Sequence, residues 1–335
     1  MSKLLAQGGY GCVFRPEIHC SGKSGTDKRV SKLQKSNYAA INEYKIGLLI
    51  RTIKRYDNYF LPALESCPVK LSKINNTILK SCDVINQKYK YNLLSFPFIE
   101  NTGFVQFFST TKKPEFYLIE LYERLVQSLH LLYNKNIVHH DIKDDNILIR
   151  TSTNEPIIID YGISMYMTNV NKSIYEDMFY IYAPEYYPWC IEQHVICYIV
   201  QYRLRTHDFS DLRQQELHNI INAYTKQSVF TIFSNTFVQK YNNSLKHALS
   251  CFINKPPQHI LDNLIKDYSS WDIVALSIMF IKLIKFKYEF ETLPKRIVSL
   301  LKILLLNISP NRKKRLSHEK TLENITLLKH LNRCK

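Results

Sequence analysis

One loop in the middle of the chain concentrates side chains that could perform chemistry. Asp141, Lys143 and Asn146 lie close together between the apolar segments 137–138 and 147–149. Phosphoryl transfer needs a base for the hydroxyl, a cation for the phosphate oxygens and ligands for magnesium, with little covalent chemistry from the protein. A carboxylate, an ammonium group and an amide are the matching residue types, so the loop is typical of a phosphoryl-transfer site.

A second candidate carboxylate comes a little later in the chain. Asp160 ends the apolar run 156–159, which predicts a short buried strand. A carboxylate at the end of such a strand is a hard oxygen donor suited to Mg²⁺. We therefore predict that Asp160 binds metal.

The flanking segments predict the elements that must position these residues. The patterns at 8–14 and 28–33 are separated by the Gly- and Ser-rich residues 21–27, which is typical of a hairpin. Residues 37–55 carry apolar side chains at helical spacing, whereas 91–98 is a continuous apolar and aromatic run. We predict a helix and then a strand.

From residue 114 the pattern changes to one long amphipathic helix that ends near residues 134–136. A β-rich part thus precedes a helical part. We predict an α+β fold in a single domain, residues 1–335, with a small N-lobe at 1–102 and a larger C-lobe at 103–335.

Composition places the chain among globular proteins. With 335 residues, 45% of them apolar and 13% aromatic, it can bury a sizeable core. Its apolar runs fall well short of the roughly 20 residues that a membrane span needs, and its N-terminus lacks the pattern of a secretory or myristoylation signal. We expect an intracellular protein without a membrane span.

Because the eight cysteines form no C-x-x-C pair, we also expect reduced thiols rather than zinc ligands or disulfides.

The net charge of +16 leaves two interpretations open. Lys and Arg supply the sequence-independent part of binding to nucleic acids and acidic surfaces. The basic residues are spread along a chain that is also rich in Asn, Ile and Tyr, which is typical of an AT-rich genome. We favour the compositional interpretation, and no motif supports polyanion binding.

Taken together, the motifs resemble the signature of eukaryotic-type protein kinases, in that family's order. Residues 139–146 resemble the catalytic loop H-R-D-L-K-x-x-N, residues 160–162 resemble D-F-G, and residues 183–185 read A-P-E. The resemblance implies a two-lobed protein kinase fold, ATP as phosphoryl donor, and Mg²⁺ or Mn²⁺ as the metal.

The same resemblance implies a role for each residue of the loop. Asp141 would accept the proton of the substrate hydroxyl, and Lys143 would steady the γ-phosphate. Asn146 and Asp160 would hold the metal. The lysine at 143 resembles the serine/threonine branch, so protein serine and threonine hydroxyls are the implied acceptors.

The N-terminal lobe resembles the nucleotide-binding half of these kinases. Aligned on Gly11 and Val13, the glycine-rich loop has Ala6 in place of the first glycine of G-x-G-x-x-G-x-V, while Gly8 and Gly9 keep the backbone free to approach phosphates. The residues that the resemblance assigns to ATP binding are Ala6, Gln7, Gly8, Gly9, Tyr10, Gly11, Cys12, Val13, Val30, Lys32, Glu43, Phe96, Ile99 and Leu148.

Within that set, Lys32 stands at the V-A-I-K position and would contact the α- and β-phosphates. Glu43, on the following helix, would orient Lys32. Phe96 would lie at the back of the adenine pocket and Ile99 in the hinge. In the C-terminal half, Asp272 resembles the aspartate that holds the backbone of the catalytic loop.

Two features depart from ordinary protein kinases. Residues 186–271 form a long segment with helical patterning, which we predict to be a folded insertion that includes a helix capped by Ser210. His140 replaces the arginine that commonly receives an activating phosphate. The short N-terminal region and the Tyr-rich stretch after residue 185 resemble the divergent serine/threonine kinases of nucleocytoplasmic large DNA viruses, which implies host cytoplasm or virion as location.

Two other functions stay open. A pseudokinase or scaffold would share the fold, but it usually lacks one of the four residues Lys32, Asp141, Asn146 and Asp160, and all four are present. A small-molecule kinase usually lacks both Lys143 and the A-P-E triplet. Both features therefore favour a protein kinase.

Overall fold

The computed structural model describes residues 2–9, 11–21, 23, 25–169 and 172–330. They form two compact units. Unit 1 comprises residues 1–103 and 146–164, and unit 2 comprises residues 104–145 and 165–335. Residues 146–164 therefore return to the N-terminal unit, which a division of the chain at residue 102 does not anticipate.

The described strands are β1 Lys3–Gly8, β2 Gly11–Arg15, β3 Arg29–Lys35, β4 Glu65–Val69, β5 Tyr91–Pro97, β6 Asn101–Gly103, β7 Ile137–Val138, β8 Ile147–Arg150, β9 Pro156–Ile158 and β10 Met165–Tyr166. The described α-helices are α1 Tyr38–Ile50, α2 Asn76–Lys80, α3 Phe104–Thr110, α4 Pro114–Tyr133, α5 Lys172–Met178, α6 Ile191–Ile199, α7 Gln214–Thr225, α8 Asn235–Leu249, α9 Pro257–Leu264, α10 Trp271–Lys287, α11 Lys295–Asn307 and α12 His318–His330.

Unit 1 is built on an antiparallel five-stranded sheet in the order β1-β2-β3-β5-β4. Successive side chains of a strand point to opposite faces. One face carries Val30, Leu94 and Phe96 in a buried cluster, and the opposite face carries Cys12 and Leu33 in another. The alternation confirms the hairpin predicted from 8–14 and 28–33 and the strand predicted at 91–98.

Helix α1 lies against the first of these two faces. Asn37 caps it by accepting a hydrogen bond from the amide of Ala40 at 3.1 Å. Ala40 is buried in the cluster with Val30, and Glu43 lies three residues further on the same side of the helix. The register of α1 thereby turns Glu43 towards the sheet.

A second, three-stranded sheet in unit 1 has the order β6-β8-β9. It joins β6 to the two strands that surround residues 151–155. The amide of Ile159 donates to the carbonyl of Asn146 at 3.0 Å, one residue beyond β9. The sheet thus fixes the chain directly after Asn146 and shortly before Asp160, the two predicted metal-binding residues.

The structure contradicts the prediction that all eight cysteines are free. Unit 1 contains the disulfides Cys12–Cys82 and Cys20–Cys67. The sequence spacing concealed them because the partners are 70 and 47 residues apart and meet only when β2, β4 and the segment after α2 pack together. No short motif marks such a pair.

Unit 2 is helical and is centred on α10, whose first fourteen residues are all buried except Lys282. The hydroxyl of Tyr122 on α4 forms a hydrogen bond with Ser277 on α10 at 2.8 Å and accepts another from Asn307 on α11 at 2.8 Å. The pKa of Tyr122 is raised to about 12 because the phenol is buried. The core thus includes a satisfied polar link among three helices.

Residues 186–271, predicted to be a folded insertion, carry α6 to α9 and several short helical turns. Helix α7 buries Leu217, Ile221 and Tyr224, as its spacing predicts. The predicted cap is wrong: Arg213 is the N-cap residue, and its amide donates to Glu216 at 3.0 Å, whereas the chain at Ser210 is not helical.

Within the described residues, none of the helices combines the length and the apolarity needed to cross a bilayer.

Candidate active site

In unit 1, two predicted carboxylates, Glu43 and Asp160, meet at the predicted lysine, Lys32. Lys32 Nζ lies 2.9 Å from Glu43 Oε2 and 3.1 Å from Asp160 Oδ1. Glu43 Oε2 also accepts from Gln34 Nε2 at 3.3 Å. Lys32 on β3, Glu43 on α1 and Asp160 after β9 thus form one charged cluster.

Burial decides how this cluster behaves. The Glu43 side chain is 1% exposed and Lys32 is 17% exposed, whereas Asp160 is 42% exposed. Burial alone would lower the pKa of Lys32, but the carboxylates of Glu43 and Asp160 outweigh it and raise that pKa above its usual value. Lys32 is therefore a fixed cation beside a partly open carboxylate.

The backbone around Asp160 is held in an unusual conformation. Its φ of 65° is in the left-handed region, which is uncommon for a residue other than glycine. Asn42 on α1 supports the turn, since its Nδ2 donates to the carbonyls of Gly162 at 3.0 Å and Ser164 at 2.8 Å. Helix α1 thus positions the segment after Asp160 as well as Lys32.

The donor set of unit 1 fits magnesium. Asn146 and Asp160 offer an amide oxygen and a carboxylate, both hard ligands, and the Ile159–Asn146 backbone bond couples their positions. Mg²⁺ in nucleotide sites usually takes one or two protein ligands and completes its shell with phosphates and water. Among the described residues there is no group of three or more His, Cys, Asp or Glu side chains arranged around a metal, and such a phosphate-assisted site does not require one.

The glycine-rich loop is the turn of the β1–β2 hairpin, where Gly8 pairs with Gly11. A Cβ on Gly8 or Gly9 would meet nothing within 4 Å, so those positions are open. A Cβ on Gly11 would come within 2.3 Å of the Leu33 carbonyl, so this glycine is required by strand packing. Tyr10, predicted to contact ATP, lies outside the described residues.

Three of the apolar residues predicted to contact adenine, Val13, Val30 and Phe96, share one face of the five-stranded sheet. Val13 packs against the cluster that contains Val30 and Phe96. Leu148 lies on β8 and is partly buried. Ile99 is partly buried between β5 and β6, and its carbonyl accepts from Asn101 Nδ2 at 2.9 Å. Val13 and Lys32 are direct cross-strand partners, so this apolar face adjoins the charged cluster.

Three other members of the predicted set have different environments. Ala6 and Gln7 are exposed on β1, and Gln7 Oε1 accepts from the amide of Asp83 at 3.1 Å. Cys12 is fully buried and joined to Cys82. Its side chain faces the core on the other side of the sheet, so its sulfur atom has a structural role in unit 1 as part of the disulfide.

Unit 2 carries the predicted catalytic loop, and Asp272 holds it as predicted. Asp272 Oδ2 accepts from the amide of His139 at 2.7 Å, and Oδ1 accepts from the amide of His140 at 2.9 Å. Asp141 follows directly. Its Oδ2 accepts from Lys143 Nζ at 3.1 Å. The two predicted reactive side chains of the loop are therefore in contact.

His140 is enclosed by aromatic rings. It stacks on Trp189 with ring centroids 5.0 Å apart and meets the ring of Phe179 at 5.1 Å. Burial, with a smaller contribution from His139, lowers the pKa of His140 to about 3. The imidazole is therefore neutral and inaccessible, and it cannot replace the guanidinium that would receive an activating phosphate.

A residue missed by the sequence reasoning contacts the loop directly. The Tyr186 hydroxyl donates to Asp141 Oδ1, and Lys143 Nζ donates to the same hydroxyl at 3.2 Å. The only sequence signal was the pair of tyrosines directly after residues 183–185.

The resemblance to protein kinases implies that Glu185, of the A-P-E triplet, pairs with one of the four cations at residues 312–315. The structure shows instead that the buried carboxylate is Glu192. Arg315 donates to both Glu192 oxygens, at 2.9 and 3.1 Å, and the two side chains are 3% and 0% exposed. Glu185 is exposed. Sequence reasoning could not choose among the cations of residues 312–315, and the structure selects Arg315. A usable signal existed, because Glu192 is the single acidic residue within 186–204 and an isolated acid in an apolar run predicts a buried ion pair.

Comparison with known proteins relates part of the chain to one family. A family model described as the protein kinase domain matches residues 65–193. This range includes the catalytic loop, Asp160 and Glu192, and it excludes Lys32, Glu43 and Asp272.

One curated relative is a viral protein. A protein of fowlpox virus (strain NVSL), described as the probable serine/threonine-protein kinase FPV226, is 26% identical to this chain over 184 residues. The match covers 52% of this chain and 56% of the fowlpox protein, so the chain spans about half the length of the relative it matches. Together with the family model, it confirms the predicted resemblance to divergent viral protein kinases of the eukaryotic type.

Proposed function

We propose that this chain is a serine/threonine protein kinase with the two-lobed kinase fold, which transfers the γ-phosphate of ATP to hydroxyls of other proteins. The observation that carries the proposal is the cluster of Lys32, Glu43 and Asp160. Lys32 was predicted to contact the phosphates, Glu43 to orient Lys32, and Asp160 to bind the metal. A lysine kept charged by two carboxylates, one of them partly open, is the arrangement that phosphate and Mg²⁺ would need.

The residues of each unit have their own proposed roles. In unit 1, Lys32 would bind the α- and β-phosphates, and Asn146 and Asp160 would hold Mg²⁺, which neutralises charge on the phosphates when bound. In unit 2, Asp141 would orient the acceptor hydroxyl and take its proton, while Lys143 would stabilise the transferred group. The hydroxyls would belong to serine and threonine, in keeping with the description of the fowlpox relative as a probable serine/threonine-protein kinase.

The decisive test is transfer of label from γ-labelled ATP, with Mg²⁺, to a panel of acidic and basic peptides. We expect serine or threonine labelling by the wild type. Asp141→Asn should reduce the rate by about a hundredfold or more, which corresponds to roughly 3 kcal/mol in the barrier. ATP binding should persist in this variant, because Asp141 belongs to unit 2 and the Lys32 cluster to unit 1.

Asp145→Asn is the matched control, since it makes the same chemical change at an exposed position of the same loop. It should keep the wild-type rate. ATP binding by the wild type without labelling of any peptide would favour a scaffold, and undiminished activity in Asp141→Asn would reject the assigned base. A location in infected host cells or virions remains a prediction from the resemblance to viral kinases.

A further inference from the structure

Tyr186 places a hydroxyl of the chain itself on the proposed catalytic base. Its Oη donates to Asp141 Oδ1 and lies 3.2 Å from Lys143 Nζ. A general base acts on a hydroxyl within hydrogen-bonding distance. Tyr186 therefore has the contacts that the proposed function requires of an acceptor hydroxyl.

The tyrosine is held in this place from two sides. Its ring packs edge-to-face on Trp189 with centroids 4.9 Å apart. Trp189 Nε1 donates to the carbonyl of His140 at 2.9 Å, so the segment that carries Tyr186 is bonded to the loop that carries Asp141. Since Asp272 also fixes that loop, the hydroxyl and the base keep a constant relative geometry.

We propose that Tyr186 is phosphorylated by this kinase itself, within the same molecule. The inference rests on the proposed function. Tyr186 Oη would attack the γ-phosphorus of ATP and form a new O–P bond, while the bond from that phosphorus to the β–γ bridging oxygen breaks. ADP would leave with the electron pair, and the phenolic proton would pass to Asp141.

Tethering explains how a serine/threonine kinase accepts this one tyrosine. A hydroxyl positioned beside the base within the same molecule reacts without the entropy cost of a bimolecular encounter, an advantage that corresponds to effective molarities of about 10⁵–10⁸ M in well-oriented systems. A free tyrosine peptide has no such advantage. The structure therefore assigns tyrosine phosphorylation to position 186 alone, with serine and threonine as acceptors on other proteins.

The product would free the base for those other substrates. Phosphotyrosine carries a charge of about −1.5 to −2 at neutral pH. Beside Asp141 it would be repelled by that carboxylate and by Asp144, which lies in the same loop. Lys143 donates to the hydroxyl, but its one positive charge is smaller than the summed negative charge of the phosphate and the two carboxylates. The modified ring would leave Asp141 and open the site.

The test begins with wild-type protein that has been treated with phosphatase and then freed of it. After addition of γ-labelled ATP and Mg²⁺, peptide mapping by mass spectrometry should find phosphate on Tyr186. The first-order rate constant should not change with enzyme concentration. A rate that rises with enzyme concentration would overturn the intramolecular step.

Variants locate the acceptor. Tyr186→Phe should lose the phosphotyrosine entirely, whereas Tyr187→Phe should keep it, because Tyr187 donates to Asp144 and not to Asp141. Phosphotyrosine that persists in Tyr186→Phe at the wild-type level would overturn the assignment.

A mixing experiment separates transfer within a molecule from transfer between molecules. Lys32→Met leaves Tyr186 and Asp141 unchanged, so a mass-tagged Lys32→Met protein offers the same acceptor without its own activity. Mixed with wild type, it should stay unlabelled at Tyr186, and labelling there would refute the proposal. The peptide panel in the same reactions distinguishes the two hypotheses: labelled peptides without phosphate on Tyr186 reject only this inference, and absence of both rejects the proposed function too.

Discussion

Replacement of Glu192 by Gln should destabilise the chain far more than the same change at Glu185. Arg315 is 3% exposed and both of its bonds to a carboxylate go to Glu192. Removing one charge of a buried pair leaves the other uncompensated, which typically costs 3–5 kcal/mol. Glutamine can still accept one hydrogen bond from Arg315, so we expect a loss of about 3 kcal/mol, or roughly 5 °C in Tm.

The pH dependence gives a second readout. Burial alone would raise the pKa of Glu192, but Arg315 and the other hydrogen bonds to the carboxylate outweigh it, and the pKa lies below its usual value. A carboxylate whose pKa is lower in the folded state stabilises the protein above its unfolded-state pKa of about 4.3, and that contribution is lost as pH falls through the folded-state value. The difference in Tm between wild type and Glu192→Gln should therefore be full at neutral pH and shrink in acid.

The assay is thermal unfolding of the purified chain, followed by circular dichroism at several pH values. Glu185→Gln should change stability by less than about 0.5 kcal/mol, because Glu185 is exposed. A double-mutant cycle with Arg315→Gln should show strong coupling to Glu192. Equal losses in Glu185→Gln and Glu192→Gln, or absence of coupling, would refute the reasoning.

Three further results are expected. Lys32→Met should abolish productive use of Mg-ATP in the peptide assay, because the α- and β-phosphates lose the cation that would bind them, and wild-type kinetics would place the phosphate site elsewhere. Without reductant, Cys12 and Cys82 should resist alkylation, because their sulfur atoms form a disulfide. Reduction of this bond, which spans 70 residues, should destabilise unit 1 by about 4 kcal/mol in the chain-entropy model. Rapid alkylation of both cysteines in the native protein would contradict the pairing. Thr168→Ala should keep full activity, because the buried neutral imidazole of the catalytic loop offers a phosphate no cation, and a silent variant in the peptide assay would show that activation requires that residue.

Much of the candidate site follows from short-range patterns. Asp141 and Lys143 are two positions apart in the sequence, so one loop presents both side chains. Lys32 and Glu43 lie on adjacent elements, and the helical register of α1 brings Glu43 to Lys32 once Ala40 is buried. The strands and helices near these residues were predictable because period-2 and period-3.6 patterns are local properties of a chain.

Other features depended on which distant segments pack together. Glu192 and Arg315 are 123 residues apart. The motif at 183–185 pointed to Glu185 as the partner of the cation, but only tertiary packing decides which carboxylate is buried beside Arg315. The two disulfides and the contact of Tyr186 with Asp141 have the same origin. Local sequence determines which chemical groups are available and on which face of an element they lie. Tertiary packing decides which of them are excluded from water and brought within bonding distance, because both depend on contacts between residues far apart in the chain.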